Sequence, residues 1–176
     1  MPSHPLSHAH RPVWLLDVDG VVNADRPGWS APPRRSTVWS DTDQVSYRIR
    51  WAPALLDRIR CLHVGGAVEV RWCSTWCPDA HRLERLWRLP PLASALDADP
   101  MPRGADCWPL KRAAAARVLA EGRRLVWTDD EAIPGPGTVR DGLCREGRAL
   151  LIAPRSRQGL QPADLDLIES FAAAPA

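Results

Sequence analysis

The chain has 176 residues, 45% of them apolar, and a formal net charge of +2 at pH 7. This length allows one domain with a buried core and is too short for two ordinary domains. The near-neutral charge excludes a strong overall field that would attract nucleic acid or anionic lipid. No apolar run is long enough to span a bilayer, and no secretory signal is visible. The five cysteines do not suggest a disulfide framework, so the cytoplasm is the expected location.

Residues 1–11, rich in Pro, Ser and His, are predicted to form a disordered tail. After them the apolar pattern changes repeatedly between the periods of a strand and of a helix. In chain order we predict a strand (13–16), a Pro- and Arg-rich loop (26–35), a hairpin (37–50) that turns near 41–43, a helix (52–62), a strand (67–72), two helices (78–89 and 108–121), two strands (125–127 and 149–152) and a helix (162–171). This alternation predicts one α/β domain over residues 12–173, built on a doubly wound parallel sheet. The loop and hairpin of residues 24–51 are a small insert in that domain.

The first predicted strand ends in two carboxylates, Asp17 and Asp19, which are followed by Gly20. In an extended segment the side chains at positions i and i+2 project to the same side, so the two carboxylates meet at the strand tip. Their repulsion is unfavourable near a buried strand, and a divalent cation such as Mg²⁺ would neutralise it. The alternative is an ordinary acidic turn in which Gly20 provides the bend. The two carboxylates alone do not decide between these interpretations.

Polar side chains also follow the next two predicted strands of the sheet. Ser74 and Thr75 follow one of them, and Asp129 and Asp130 follow the other. Lys111, the only lysine among 23 Lys and Arg residues, lies near the start of the intervening helix. Because the carboxyl ends of parallel strands lie at one edge of a sheet, we expect these groups to converge there. Such a set would bind a metal ion together with a phosphate group.

Each of these residues has a simpler explanation when it is taken alone. Ser74 and Thr75 can cap the helix that follows them. Asp129 and Asp130 can belong to an acidic loop, and Lys111 can be a solvated helix residue. One site at one sheet edge explains all of them together, which favours the site.

The same segments resemble the four motifs of the haloacid dehalogenase (HAD) superfamily, in the usual order. The resemblance is closer still to the HAD domains named after Swiss Army Knife RNA repair proteins, and it covers residues 72–76, 108–111, 127–131 and 159–160 as well as the first motif. It implies a HAD-like Rossmannoid fold and a Mg²⁺-dependent phosphohydrolase. Thr128 departs from the superfamily's commonest pattern, in which a glycine precedes the metal-binding aspartate.

The resemblance also implies catalytic roles for individual residues. Asp17 would be the nucleophile that forms an aspartyl-phosphate, and Asp19 the general acid that later acts as the base. Ser74 is the better match for the phosphate-binding hydroxyl, with Thr75 as the alternative. Lys111 would neutralise the phosphoryl charge and orient the nucleophile.

The implied Mg²⁺ ligands come from the two acidic pairs. They are Asp17, Asp19 through its backbone carbonyl, and Asp129. Asp130 would bind the ion through water or hold Lys111.

The two inserts, residues 24–51 and 75–111, are too small to form the cap domain that encloses small substrates in this superfamily. The resemblance therefore implies an open site for a phosphate on a large or protruding partner, unless a second copy of the chain covers it. Arginines and tryptophans of the first insert, and a tryptophan beside the second motif, can contact a nucleotide or a nucleic-acid end: Arg26, Arg34, Arg35, Arg48, Arg50, Trp29, Trp39 and Trp76. The alternative is a solvated hairpin with tryptophans in the core. A second functional interpretation is a HAD-like binding or regulatory module without useful turnover.

Overall fold

The structure is a computed structural model that describes residues 11–175. The predicted tail, apart from Arg11, therefore lies outside the described residues. The elements in chain order are β1 (Val13–Leu16), β2 (Arg34–Ser40), β3 (Val45–Trp51), α1 (Pro53–Val64), β4 (Glu69–Trp72), α2 (Ala80–Trp87), β5 (Ala93–Ser94), α3 (Trp108–Ala120), β6 (Leu125–Thr128), α4 (Thr138–Leu143), β7 (Ala149–Ile152) and α5 (Pro162–Ala173). Among these residues, no helix combines the length and the hydropathy that a membrane span requires.

Five strands form one parallel sheet in the order β5-β4-β1-β6-β7. Side chains along β1 alternate between two apolar layers. Trp14 and Leu16 lie in the layer that contains α1, α2 and α5, whereas Val13 and Leu15 lie in the layer of α3 and α4. Helices thus cover both faces of the sheet, as a parallel sheet requires. The predicted α/β class with a parallel sheet is confirmed, and the architecture is Rossmann-like.

Two short elements were not predicted. β5 has only two residues, and α4 has six. Neither is long enough to display a periodic apolar pattern, and both lie in segments rich in Pro and Gly. The helix predicted over 78–89 is also shorter than expected, because residues Cys77–Asp79 form a 3₁₀ turn and Arg88 ends α2 in the left-handed conformation at φ 54°.

The hairpin of β2 and β3 forms a separate two-stranded antiparallel sheet. Its inner face carries Val38 and Ile49 into the larger apolar layer. Its tip is fixed by Asp79, which accepts hydrogen bonds from Ser40 Oγ at 2.7 Å and from the backbone N–H groups of Asp41 and Thr42 at 3.1 and 3.2 Å. Those hydrogen bonds hold the pKa of Asp79 below its ordinary value, although burial opposes them. The hairpin is therefore anchored to the body of the domain at its tip as well as at its base.

The last residue of β6, Thr128, joins the two central strands through its side chain. The indole Nε1–H of Trp14 donates to Thr128 Oγ1 at 2.9 Å, and both residues are fully buried. A residue without a hydroxyl at this position would leave a buried N–H without an acceptor, which is costly. This hydrogen bond gives a physical reason for threonine immediately before Asp129.

We expect Thr128→Val to lower the free energy of unfolding by about 1–3 kcal/mol, because valine keeps the shape of the side chain but removes the acceptor for Trp14. Urea denaturation measures this change. The control is Thr37→Val on the exposed face of the hairpin, where little change is expected. Equal stability of the Thr128→Val variant and the wild type would contradict the assigned role of the hydroxyl.

Candidate functional site

The candidate site lies at the carboxyl edge of the sheet, beside its central strand. Counting the sheet strands alone, the order is 3-2-1-4-5, so the connections leave β1 in opposite directions. The crevice at such a switch point is where open α/β sheets bind ligands. Asp17 directly follows β1 and Asp129 directly follows β6, and the Asp17 N–H donates to the Thr128 carbonyl at 3.1 Å. The predicted convergence of these strand ends is therefore present.

Lys111 joins the two aspartates that follow the central strands. It lies in the first turns of α3, and its Nζ donates to Asp17 Oδ2 at 2.6 Å and to Asp129 Oδ2 at 2.7 Å. Asp129 is fully buried, while Asp17 and Lys111 are each 6% exposed. The interpretation of Lys111 as a solvated helix residue is therefore wrong. Its ammonium neutralises carboxylates inside the domain.

Burial and the neighbouring charges shift the pKa values of Asp17 and Lys111. Burial raises the pKa of Asp17 from its ordinary value of 3.8 to about 7, although the Lys111 ammonium lowers it; the neighbouring Asp129 raises it further. The two carboxylates raise the pKa of Lys111 well above its ordinary value, against the opposing effect of burial. The ammonium consequently remains charged at neutral pH.

A third carboxylate, Asp130, completes the acidic cluster. Asp17, Asp129 and Asp130 each offer an oxygen atom within 4.8 Å of the others. Gly20, at φ +70°, permits this approach, because a Cβ on Gly20 would lie 2.0 Å from Asp130 Oδ2. Burial raises the pKa of Asp130, although the nearby Ser156 side chain opposes this.

The donor chemistry of this cluster is suited to a hard divalent cation. All three ligand atoms are carboxylate oxygens, which Mg²⁺ prefers in proteins. One ammonium, bonded to Asp17 and Asp129, lies beside a cluster of three carboxylates, so the fully ionised cluster carries excess negative charge that a bound cation would balance. The residues that would hold such a cation are Asp17, Asp129 and Asp130.

Ser74 and Thr75 differ in their surroundings. Ser74 is buried beside Asp17, where its hydroxyl lowers the pKa of that carboxyl and so favours the ionised form. The Trp76 N–H also donates to Ser74 Oγ at 3.4 Å. Thr75 is only half-buried. The 3₁₀ turn and α2 both begin without a side-chain capping bond from their own first residues. The Ser74 hydroxyl thus both accepts a bond in the turn before them and lies beside Asp17, the nucleophile candidate.

The side chain of Asp19 lies apart from the acidic cluster and is exposed. Its Oδ1 accepts a hydrogen bond from Asn23 Nδ2 at 2.7 Å, and its Oδ2 accepts one from Trp76 Nε1 at 2.8 Å. A metal-binding role for Asp19 would thus fall to its backbone carbonyl. Neither Asn23 nor Trp76 was predicted from the sequence as a hydrogen-bond donor to Asp19. The spacing of Asn23, four residues beyond Asp19 in a tight turn after Gly20, was the available signal.

Asp17 is also expected to make the stability of the metal-free protein depend on pH. The native state keeps this proton up to about pH 7, whereas the unfolded chain releases it near 3.8. The native state then binds more protons in this window, so the free energy of unfolding falls as pH rises through it and is level above it. Lys111 is protonated in both states throughout this window and adds no slope.

Asp17→Asn is expected to remove this part of the pH dependence. Denaturant unfolding in the presence of a chelator, at several pH values across the window, measures the effect. Asp25→Asn, which changes an exposed carboxylate, is the matched control. Parallel pH profiles for the wild type and Asp17→Asn would contradict the raised pKa.

Comparison with known proteins gives no relative for this chain. No protein family, no curated protein and no solved structure matches it. What the site can do therefore follows from its own side chains and their geometry.

Proposed function

We propose that the chain is a magnesium-dependent phosphomonoesterase that works through an aspartyl-phosphate on Asp17. The observation that carries the proposal is the buried Lys111 ammonium, 2.6 Å from Asp17 and 2.7 Å from Asp129, beside the Asp130 carboxylate. A structural ion pair needs one carboxylate, whereas this ammonium faces an excess of them at a ligand-binding edge. The order of the motifs, similar to that of the HAD superfamily, supports the same assignment. A HAD-like domain with a hairpin insert in the cytoplasm is part of the proposal.

In the first step, an Asp17 oxygen attacks phosphorus and the bond between phosphorus and the leaving oxygen breaks. The Asp19 carboxyl gives its proton to that oxygen, so the leaving group departs as a neutral alcohol. Lys111 holds the attacking carboxylate in place and offsets the phosphoryl charge. Ser74 donates a hydrogen bond to a phosphoryl oxygen, with Thr75 as the second candidate.

In the second step, the Asp19 carboxylate takes a proton from water as the water oxygen attacks phosphorus. The bond between phosphorus and Asp17 breaks, which releases inorganic phosphate and restores the Asp17 carboxylate. Asp19 is again protonated, so the cycle is closed. Mg²⁺, held by Asp17, Asp129 and Asp130 together with the Asp19 carbonyl, would screen the repulsion between the nucleophile and the phosphate.

The exposed face of the hairpin favours the proposal that the substrate is a polyanion, such as a nucleotide or a nucleic-acid end. The strand register places Arg35 opposite Arg50 and Thr37 opposite Arg48, and all four are exposed. An open groove of about 400 Å³ runs along these residues. Three guanidinium groups on one face attract phosphate groups.

The tryptophans support this substrate class unequally. Trp76 is buried and its indole N–H is occupied by Asp19, and the Trp29 N–H donates to the Leu160 carbonyl at 2.9 Å. Trp39 is 41% exposed and shares the outward face of the hairpin. It is the tryptophan best placed to stack on a base.

The function is tested with purified protein, Mg²⁺ and a panel of nucleotides, sugar phosphates and phosphorylated oligonucleotides. We expect Asp17→Asn to reduce hydrolysis to background, because the nucleophile is lost. Asp19→Asn should lower kcat by about 10²–10⁴-fold, the usual contribution of a general acid or base. Chelation of Mg²⁺ should abolish the wild-type activity.

Asp25→Asn is the control, because it removes an exposed carboxylate of the same loop region without touching the cluster. If the wild type is as inert as both variants on every substrate, the phosphatase proposal fails. Tight binding of a phosphorylated ligand without turnover would then favour the binding or regulatory module.

Substrate class is tested by replacing Arg35 and Arg48 with alanine together. We expect KM for a phosphorylated oligonucleotide to rise and its salt dependence to become shallower, because each lost phosphate contact reduces the salt slope by about 1. Activity on a small phosphomonoester should be preserved. The matched control is the double variant Arg85→Ala and Arg117→Ala, which removes the same charge from exposed helix positions. Equal effects of the two double variants would argue against a role for the hairpin face.

A further inference from the structure

Asp19 has two side-chain donors of its own, one on each carboxyl oxygen. Resting on the proposed phosphatase function, we propose that Asn23 and Trp76 are positioning residues that hold Asp19 as the acid and base of the reaction. They keep its carboxyl outside the cation cluster and facing the open side of the site. The hairpin supports both donors, so it serves as a fixed scaffold for Asp19.

The Asn23 contact is built into the turn that follows β1. Gly20 N–H donates to the Asn23 carbonyl at 2.9 Å, and Asn23 N–H donates to the Val18 carbonyl at 2.8 Å. These bonds place the Asn23 amide beside Asp19, where Nδ2 donates to Oδ1 at 2.7 Å. The backbone hydrogen bonds of Asn23 therefore position its side chain beside Asp19.

The Trp76 contact comes from a different part of the chain. Trp76 lies two residues after Ser74, is 6% exposed, and donates from Nε1 to Asp19 Oδ2 at 2.8 Å. A buried indole has two torsions, both restricted by packing, so the direction of its N–H is well defined. The loops after β1 and β4 thus each send one donor to the same carboxyl group.

Strand β3 of the hairpin supports both donors from behind. The Arg50 N–H donates to Asn23 Oδ1 at 2.8 Å, and the Ala24 N–H donates to the Arg50 carbonyl at 3.0 Å. The ring of Tyr47 packs edge-on against Trp76, with centroids 5.3 Å apart and planes at 71°. The hairpin therefore contacts both donors, Asn23 through the Arg50 N–H and Trp76 through the Tyr47 ring.

This arrangement suits a group that must carry a proton in one step and accept one in the next. A carboxyl group has about four lone-pair positions, so one donor on each oxygen sets its plane and leaves each oxygen a further site. The donors also oppose rotation of Asp19 toward Asp17 and the other carboxylates. Bound to a cation, Asp19 could not carry the proton that the leaving group needs. Correct placement of such a group is worth a large part of its catalytic effect.

The test compares two leaving groups. Departure of an alkyl alcohol needs a proton from Asp19, whereas departure of p-nitrophenolate does not. For Trp76→Phe and for Asn23→Ala we expect kcat/KM for an alkyl phosphate to fall by about 10–100-fold, a part of the full effect of general acid catalysis. For p-nitrophenyl phosphate we expect a change within about 3-fold, because acid catalysis contributes little there. Trp29→Phe is the matched control, since its indole N–H bonds to the Leu160 carbonyl instead.

Two further measurements separate positioning from a structural role. In an Asp19→Asn background, Trp76→Phe and Asn23→Ala should cause no additional loss on the alkyl substrate, because residues that act as one unit are not additive. In metal-free protein at one pH, the indole N–H resonance of Trp76, assigned by its loss in Trp76→Phe, should shift in Asp19→Ala. The resonance of Trp29 should not shift. This spectroscopic comparison needs no catalytic activity.

The outcomes are distinguishable. Equal losses on both substrates, additive losses in the Asp19→Asn background, or an unshifted Trp76 resonance would overturn the positioning role while leaving the phosphatase function intact. A wild type without activity on any phosphomonoester would overturn the proposed function, and the catalytic role of the two donors with it. Selective loss on the alkyl substrate, non-additivity and a shifted resonance together support the proposal.

Discussion

The architecture of the site depends on one buried ammonium group. Asp17 and Asp129 end neighbouring central strands, so the sheet forces their carboxylates together in a region with little water. Repulsion there would be expensive without an opposite charge. Lys111 provides this charge from α3, the helix that precedes β6 in the chain. The ammonium contacts two of the three carboxylates but carries only one positive charge, so the fully ionised cluster keeps an excess of negative charge at this edge of the sheet.

The parallel sheet turns a local sequence pattern into a spatial one. The ends of β4, β1 and β6 carry the polar groups, and the order β5-β4-β1-β6-β7 places these three strands side by side. The groups divide between two sides of the crevice. The acidic cluster lies on the side of β6, while Asp19 accepts a hydrogen bond from Trp76 in the loop after β4. The side chain of Asp19 thus lies apart from the acidic cluster although only one residue separates it from Asp17.

The sequence predicted the strand ends well because their information is local. β1 and β7 have the predicted bounds, and the helices with clear apolar stripes differ by only a few residues. β5 and α4 escaped prediction because two and six residues carry no period. The partners of Asp19 escaped for another reason. The contact with Trp76 joins residues 57 positions apart, and no local pattern encodes it. Likewise, the sequence does not show that Ser74 is buried beside Asp17, because its burial depends on tertiary packing.

The alternation of β3 has a consequence for how this protein can diverge. Side chains at positions 46, 48 and 50 face outward, whereas Tyr47 and Ile49 face inward. The support of Asn23 uses the backbone N–H of Arg50 and not its side chain. The outward side chains can therefore change in an evolving lineage while the backbone contact that supports Asn23, and through it Asp19, is kept. Proline is the exception at position 50, because it has no N–H to donate.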